Sequence, residues 1–206
     1  MTIFRTPNFR GWNALIIHRH DDNAARLTRQ LERLGMQVTV AWPDMPEPAP
    51  TIDVVFVDGD NGFDGLFPWP PGEPAVPLIA LIGSEAPGRL EWVLGQGAAA
   101  HLVKPVQSSG VFSALVLASA TFERMRAMRQ EIFALGERIA KRPLVFSALA
   151  QVMAMTGLDE NQAYALLRSE AMRRRQPVEH LCEALLQGKL IDAPAFYGAA
   201  ARLRRG

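Results

Sequence analysis

The sequence predicts an α/β, doubly wound N-terminal domain, a long coiled-coil helix and a small all-α domain of three helices, in that order. Three observations carry the prediction. Five short apolar runs alternate with helical or looped segments between residues 13 and 103. Apolar residues then recur at spacings that alternate between three and four through residues 110–142. Past Pro143, three shorter helical patterns are punctuated by Gly157 and Pro177. The boundaries read as 1–109 for the α/β domain, 110–142 for the dimerisation helix, 143–190 for the helical domain and 191–206 for a basic tail holding Arg202, Arg204 and Arg205.

Residues 1–11 read as a loose lead-in. Residues 13–17, Asn-Ala-Leu-Ile-Ile, are a buried strand. Residues 22–34 follow as a helix with Leu27, Leu31 and Leu34 on its inner side, Asp22 as its cap and Gly35 as its stop. Residues 36–40 form a second strand, and a proline-rich link runs from Pro43 to Pro50. Strands at 52–57, 77–82 and 98–103 complete the set, with a helix near 87–95 before the last. Such alternation argues a parallel sheet covered on both faces. Between the third and fourth strands, residues 61–74 hold three glycines and four prolines, so the helix expected there is missing or reduced to a turn. Phe63, Phe67 and Trp69 pin this loop to the sheet, the alternative being exposure for a partner.

Composition sets the class. A chain of 206 residues that is 49% hydrophobic and 21% charged is an ordinary globular protein of one large or two small domains. The net charge of +1 hides a split: residues 1–121 carry 8 basic and 12 acidic side chains, residues 122–206 carry 14 and 9. The basic half suits a polyanion. The single cysteine, Cys182, excludes an intrachain disulfide and a thiolate metal cluster, and its apolar helix face marks it as a small buried hydrophobe. No apolar run reaches about 18 residues and the N-terminus lacks a signal-peptide pattern, so a cytoplasmic protein without a membrane segment is expected.

The long helix carries its seam on Ala118, Thr121, Met125, Met128, Ile132, Leu135 and Ile139, with charged and polar residues between. A helix this polar needs a partner for its narrow stripe, and a second copy is the expected one. The alternative is an intramolecular packing helix. Dimerisation is assigned to Met125, Met128, Ile132, Leu135 and Ile139.

In the first domain, Asp58 ends the third strand and Lys104-Pro105 ends the fifth. In both respects the chain resembles the receiver domain of two-component response regulators, whose phosphoacceptor aspartate and following lysine stand at those places. The resemblance stops there. The acidic pair that helps receivers hold magnesium is matched by His18 and Arg19, and the hydroxyl residue of the fourth strand by Ile82. Asp21 and Asp22 lie a few residues too late. Phosphoryl transfer to a carboxylate needs a cation and donors that steer the leaving charge. A pseudo-receiver is therefore expected, with Asp58 and Lys104 as a receiver-like remnant and no metal or cofactor. The alternatives for Asp58 are weak residual phosphorylation, or a strand-end carboxylate bonded to its own loop.

In the last domain, Val145, Leu149, Val152 and Met153 mark a first helix. Asp159 caps a second, with Gln162 completing a capping box. That helix runs to about Arg175, with Ala163, Leu167, Glu170, Ala171 and Arg174 along one side, and Tyr164, Arg168, Met172 and Arg175 along the other. Pro177 opens a third helix bearing Val178, Leu181, Cys182, Leu185 and Leu186, and Gly188 stops it.

Gly157-Leu158, Ala163-Tyr164, Leu167-Arg168, Ala171-Met172 and the Arg-rich turn resemble the ANTAR domain, the RNA-binding unit of the amidase and nitrate-assimilation antitermination regulators. The whole chain resembles the amidase-operon antiterminators in its order of parts. One departure stands out: the family's Ala-Lys pair, whose lysine usually faces RNA, is matched by Ala148-Leu149. The departure implies weaker binding, compensation by Lys141, Arg142 and the Arg173–Arg175 cluster, or a specialised or relaxed RNA target. From charge alone the arginines are as well read as a solvated helix end. The resemblance implies RNA, with Tyr164 and Arg168 as a stacking surface, Arg173 and Arg175 on phosphates, and Met172 and Arg142 beside them.

The resemblance thus implies a cytoplasmic, non-enzymatic transcription antitermination regulator that binds leader mRNA stem-loops as a homodimer. It also implies control by an amide-sensing repressor of the periplasmic-binding-protein fold rather than by phosphorylation. The rival readings are a receiver-like protein-interaction adaptor and a DNA-binding response regulator.

Overall fold

A computed structural model describes residues 6–46 and 51–189 of the chain. The basic tail at 191–206, the start of the lead-in and the end of the proline-rich link lie outside the described residues. The chain divides into two compact units after Ala127.

The first unit is a five-stranded, wholly parallel sheet in the order β2-β1-β3-β4-β5. The strands are β1 (Asn13–Ile17), β2 (Gln37–Ala41), β3 (Val54–Asp58), β4 (Leu78–Ile82) and β5 (Ala100–Val103). The helices are α1 (Asp22–Arg33), α2 (Pro87–Gly95) and the start of α3 (Val111–Ala140). β3 and β4 are buried at every position, as central parallel strands must be. Successive side chains point to opposite faces and fill two separate cores. On one face Ile16, Phe56, Ile79 and Leu81 meet Leu27 and Leu31 of α1 and Val111, Ala114, Leu115 and Ala118 of α3. On the other, Leu15, Val55, Val57 and Ala80 meet Val93 of α2 together with Leu66 and Phe67. The loop between β3 and β4 thus does a helix's work as a cover.

That loop is fastened by Phe67 and Trp69, whose rings stack at 4.9 Å, and by Trp92 of α2. The Trp92 ring lies where any Cβ at Gly62 would stand, and its indole nitrogen donates to Asp64 at 3.2 Å. Phe63 corrects the sequence reading: it is 44% exposed, and the Trp92 ring, not Phe63, packs against Gly62. Asp21, not Asp22, caps α1, since its extended backbone lets its carboxylate accept from the amides of Asn23 and Ala24 at 2.8 and 3.0 Å. Ala118 is fully buried against the sheet, so the first part of the heptad stripe is already covered within its own chain.

The second unit joins the end of α3 to α4 (Arg142–Thr156), α5 (Glu160–Arg173) and α6 (Val178–Leu186). Pro143 sits in the first turn of α4, where its missing N–H costs nothing. Gly157 ends α4 in the left-handed region at φ 65°, which a side chain would resist. The Asp159–Gln162 capping box forms on both sides, at 2.8 and 3.3 Å. α5 ends at Arg173, two residues earlier than periodicity suggests. Ala148, Val152, Leu158, Ala163, Leu166, Leu167, Leu181 and Cys182 make the core. Cys182 is fully buried, and burial, with Glu179 nearby, pushes its thiol up to about 11. Among the described residues no helix is long and apolar enough to cross a membrane.

Candidate functional site

Two places collect the polar side chains singled out above. The first is the carboxyl end of the sheet. Asp58 is 1% exposed, and both of its oxygens are taken. Oδ1 accepts from the Lys104 ammonium at 2.7 Å and from the amide of Asp60 at 3.1 Å. Oδ2 accepts from the Asn61 amide nitrogen at 2.8 Å and faces the His18 ring at 3.5 Å. Lys104 also reaches Asp60 at 2.7 Å, and Asp60 in turn accepts from the amides of Gly83 and Ser84. Burial favours the neutral amine of Lys104, but the hydrogen bonds and charges of Asp58 and Asp60 outweigh it and raise its pKa. Burial likewise favours the protonated acid of Asp60, and Lys104 with the two amides overcomes it to hold the carboxyl below its usual range.

A magnesium ion of the receiver kind does not fit this arrangement. The ammonium of Lys104 already lies between the two carboxylates, and His18, buried with its Nδ1 donating to the Arg19 carbonyl at 2.8 Å, fills an acidic residue's place. Asp58 bonds its own loop through the Asp60 amide and the Asn61 side chain, and His18 meets it from the place where receivers carry their acidic pair; which loop groups turn back is what the sequence does not specify. A residue two or three beyond a strand end folds back only if the turn does, and spacing does not disclose that.

The second place is the exposed side of α5. Tyr164, Arg168, Met172 and Arg175 are all exposed, while Ala163, Leu166, Leu167, Glu170 and Ala171 are buried beneath them. Arg175 holds φ 54°, alone among described non-glycine residues in the left-handed region. It occupies the position after the cap of α5, and the amides of Arg175 and Gln176 bond back to the carbonyls of Met172 and Ala171 at 3.1 and 3.0 Å. This is the Schellman turn that glycine usually makes. Arg175→Gly should therefore raise the unfolding free energy of this unit by about 1 kcal/mol, read by thermal melting.

Arg173 and Arg174 both grip Glu170, Arg173 through Nε at 2.8 Å and Arg174 through Nε at 2.6 Å. Arg173 first, against the cost of burial and then with Arg174, lowers the Glu170 carboxyl to about 2. A depressed carboxylate contributes stability that is present above its unfolded value of 4.5 and lost as pH falls towards about 2. Glu170→Gln should cost about 1–2 kcal/mol at neutral pH and flatten the pH dependence across that window, as measured by urea unfolding. Arg173 thus has a structural partner that its placement in an arginine run conceals.

Where α3 ends, a groove of about 520 Å³ opens against α4, α5 and α6. Arg138, Arg142, Phe146, Glu160, Asn161 and Tyr164 line it, and Leu149 and Val178 belong to its apolar lining. The structure therefore brings Arg142 and Tyr164 together, and adds Arg138 and Phe146, which sequence reading leaves out. Arg168, Met172, Arg173 and Arg175 are not among its lining residues. Leu149, at the expected lysine position, is buried in the helical core. Lys141 pairs with Glu183 at 3.0 Å and Arg138 with Glu179 at 3.4 Å, while Arg142 lines the same groove as Leu149. On α3 the seam residues Met125, Met128, Ile132, Leu135 and Ile139 are all exposed.

Residues 12–119 match the family model described as AmiR, N-terminal, which is more than half of the chain, and residues 134–186 match the ANTAR domain. The chain belongs to the AmiR-like, ANTAR-family regulators. This AmiR-like chain is 29% identical over 182 residues to the aliphatic amidase regulator of Pseudomonas aeruginosa, a match covering 87% of this chain and 93% of that protein. It is 30% identical over 111 residues to the transcriptional regulatory protein PdtaR of Mycobacterium tuberculosis, covering 54% of each. The AmiR-type match contains His18, Asp58, Asp60 and Lys104, so the pseudo-receiver lies wholly in that family's N-terminal domain. The ANTAR match contains every groove residue and the Arg173–Arg175 run. Met125, Met128 and Ile132 fall between the two matches.

Proposed function

We propose that this AmiR-like regulator is a cytoplasmic, non-catalytic antitermination protein that binds leader RNA stem-loops as a homodimer. Binding favours an antiterminator structure over a terminator hairpin, and transcription continues. The observation that carries this reading is an ANTAR domain whose exposed arginines and tyrosine stand on one helix side, above a satisfied core. Guanidinium groups neutralise phosphates and make affinity salt-dependent, while an exposed ring stacks on unpaired bases. The exposed α3 seam supplies two copies, and two copies suit two stem-loops.

Control belongs to a ligand-sensing partner protein, an amide-sensing repressor by the family resemblance, and not to phosphorylation. The support is chemical. A phosphoryl donor has to reach an Asp58 oxygen, and both oxygens are engaged at less than 2% exposure, with Lys104 shared between two carboxylates. Acetyl phosphate with magnesium should leave the mass and the oligomeric state unchanged. A phosphate-dependent shift that disappears in Asp58→Asn would overturn this part.

Electrophoretic mobility shift with the leader RNA tests the whole. The protein should bind a two-loop transcript, lose affinity as salt rises and ignore duplex DNA. Arg168→Ala should weaken binding about tenfold or more with the dimer intact. Arg175→Gly should stabilise the fold and weaken RNA binding together, a pairing that a purely structural role for Arg175 does not produce. Tight binding to duplex DNA, or none to RNA, favours the rival readings.

A further inference from the structure

Resting on the RNA and dimer reading, we infer that Glu179 and Glu183 of α6 brace the end of α3 and so set the distance between stem-loops that the dimer accepts. The joint they brace is short. α3 and α4 are parted by one residue, Lys141, whose own backbone is helical at φ −86° and ψ −5°. Its amide still donates to the Glu137 carbonyl at 3.1 Å. Pro143 then interrupts the run, since it has no N–H to offer the Ile139 carbonyl and a proline ring crowds that oxygen. A helical run bends at such a proline, and no loop defines the angle.

Apolar packing does not define it either. Residues 131–140 are exposed throughout, and no side chain of α3 belongs to the apolar core of the second unit. Two ion pairs take that place. Arg138 reaches Glu179 at 3.4 Å, and Lys141 reaches Glu183 at 3.0 Å. The cations are three residues apart and the carboxylates four, so each pair of like charges lies on one helical side and the two sides face each other. Glu179 is buried in the first turn of α6, which fixes one end of the brace. At the other end, Lys141 holds the Glu183 carboxyl below its usual range. Ion pairs this close to water add little to stability. They suffice to choose among bend angles that the core leaves equal.

The consequence is one of spacing. α3 is the element the two copies share, and α4, α5 and α6 carry the side chains that meet RNA. An angle fixed at Lys141 therefore fixes where the two RNA surfaces stand. A transcript whose spacer cannot span them engages one copy at a time and forfeits the gain from linkage.

Two measurements on the full-length protein test this. The first needs no RNA. Gln187→Cys places an exposed thiol just past α6, while Cys182, fully buried and with its thiol pKa raised, stays unlabelled. Spin labels at this position should report one narrow distance between the copies. Glu179→Gln with Glu183→Gln should broaden it. Glu179→Arg alone should also broaden it, and adding Arg138→Glu should narrow it again. The second is a gel shift with transcripts whose two stem-loops are joined by spacers lengthened one nucleotide at a time. On spacers shorter than the span, the wild type should bind no better than to one stem-loop. The Glu179→Gln, Glu183→Gln protein should bind these about tenfold or more tightly than the wild type, and equal it on one stem-loop. A narrow distance in every variant, or a spacer preference that the variants leave unchanged, would overturn the brace and leave the RNA and dimer readings standing. A parent protein without coupling between its labels removes the dimer, and one that binds no transcript removes the RNA reading; either result takes the spacing role with it.

Discussion

Replacing Ile132 and Leu135 together by aspartate should leave a monomer where the proposed α3 seam gives a dimer. Both side chains are exposed within the chain, at 66% and 47%, so neither unit loses core on their replacement. In a two-stranded seam each is buried against its copy, and fully burying such a side chain stabilises by roughly 1.5–3 kcal/mol. Four of them are lost per dimer, and four carboxylates take their place in an apolar contact. A loss of roughly 6 kcal/mol or more moves a dissociation constant by over a thousandfold. Analytical ultracentrifugation should show one species at half the mass, with both melting transitions retained. Affinity for a transcript with two stem-loops should fall steeply, and for one stem-loop hardly at all, because linkage between two sites is what disappears.

Lys104→Met should strongly destabilise the first unit. It leaves Asp58 and Asp60 close together with no cation, and Asp58 has no water to turn to. Removing one partner of a buried ion pair costs about 3–5 kcal/mol. Adding Asp60→Asn should recover part of that loss, since one of the two stranded charges is gone, and the double-mutant cycle measures the coupling. Urea unfolding of the full-length protein reads both variants. Methionine at this position with stability unchanged would mean that the cluster is held by its amide donors alone.

Much of the fold is legible in the sequence, and for a plain reason. Buried parallel strands are continuous apolar runs, and residues 13–17 and 87–95 are strand and helix as their patterns indicate. Gly157, Asp159, Gln162 and Pro143 act locally, through their own backbone or side chain, and their roles are readable without a tertiary structure. What fails to show is anything set by contact. Ala118 obeys the heptad spacing, yet the sheet reaches it first. Phe63 has the composition of an anchor, but Trp92, far along the chain, takes that role. Asp58 and Lys104 are recognisable from their strand ends. Asp60 and Asn61 join them only through a turn whose course spacing does not encode, while His18 stands at the strand end where receivers carry their acidic pair. The groove is less legible still, because Arg138, Phe146 and Tyr164 come from three helices.

The central claim is that two copies joined through α3 present paired basic helical ends to folded RNA. Light scattering after size exclusion, on the full-length protein alone and with a leader transcript carrying two stem-loops, tests it most directly. The account predicts the mass of two chains without RNA and of two chains on one transcript with it. A single chain in both runs would contradict it.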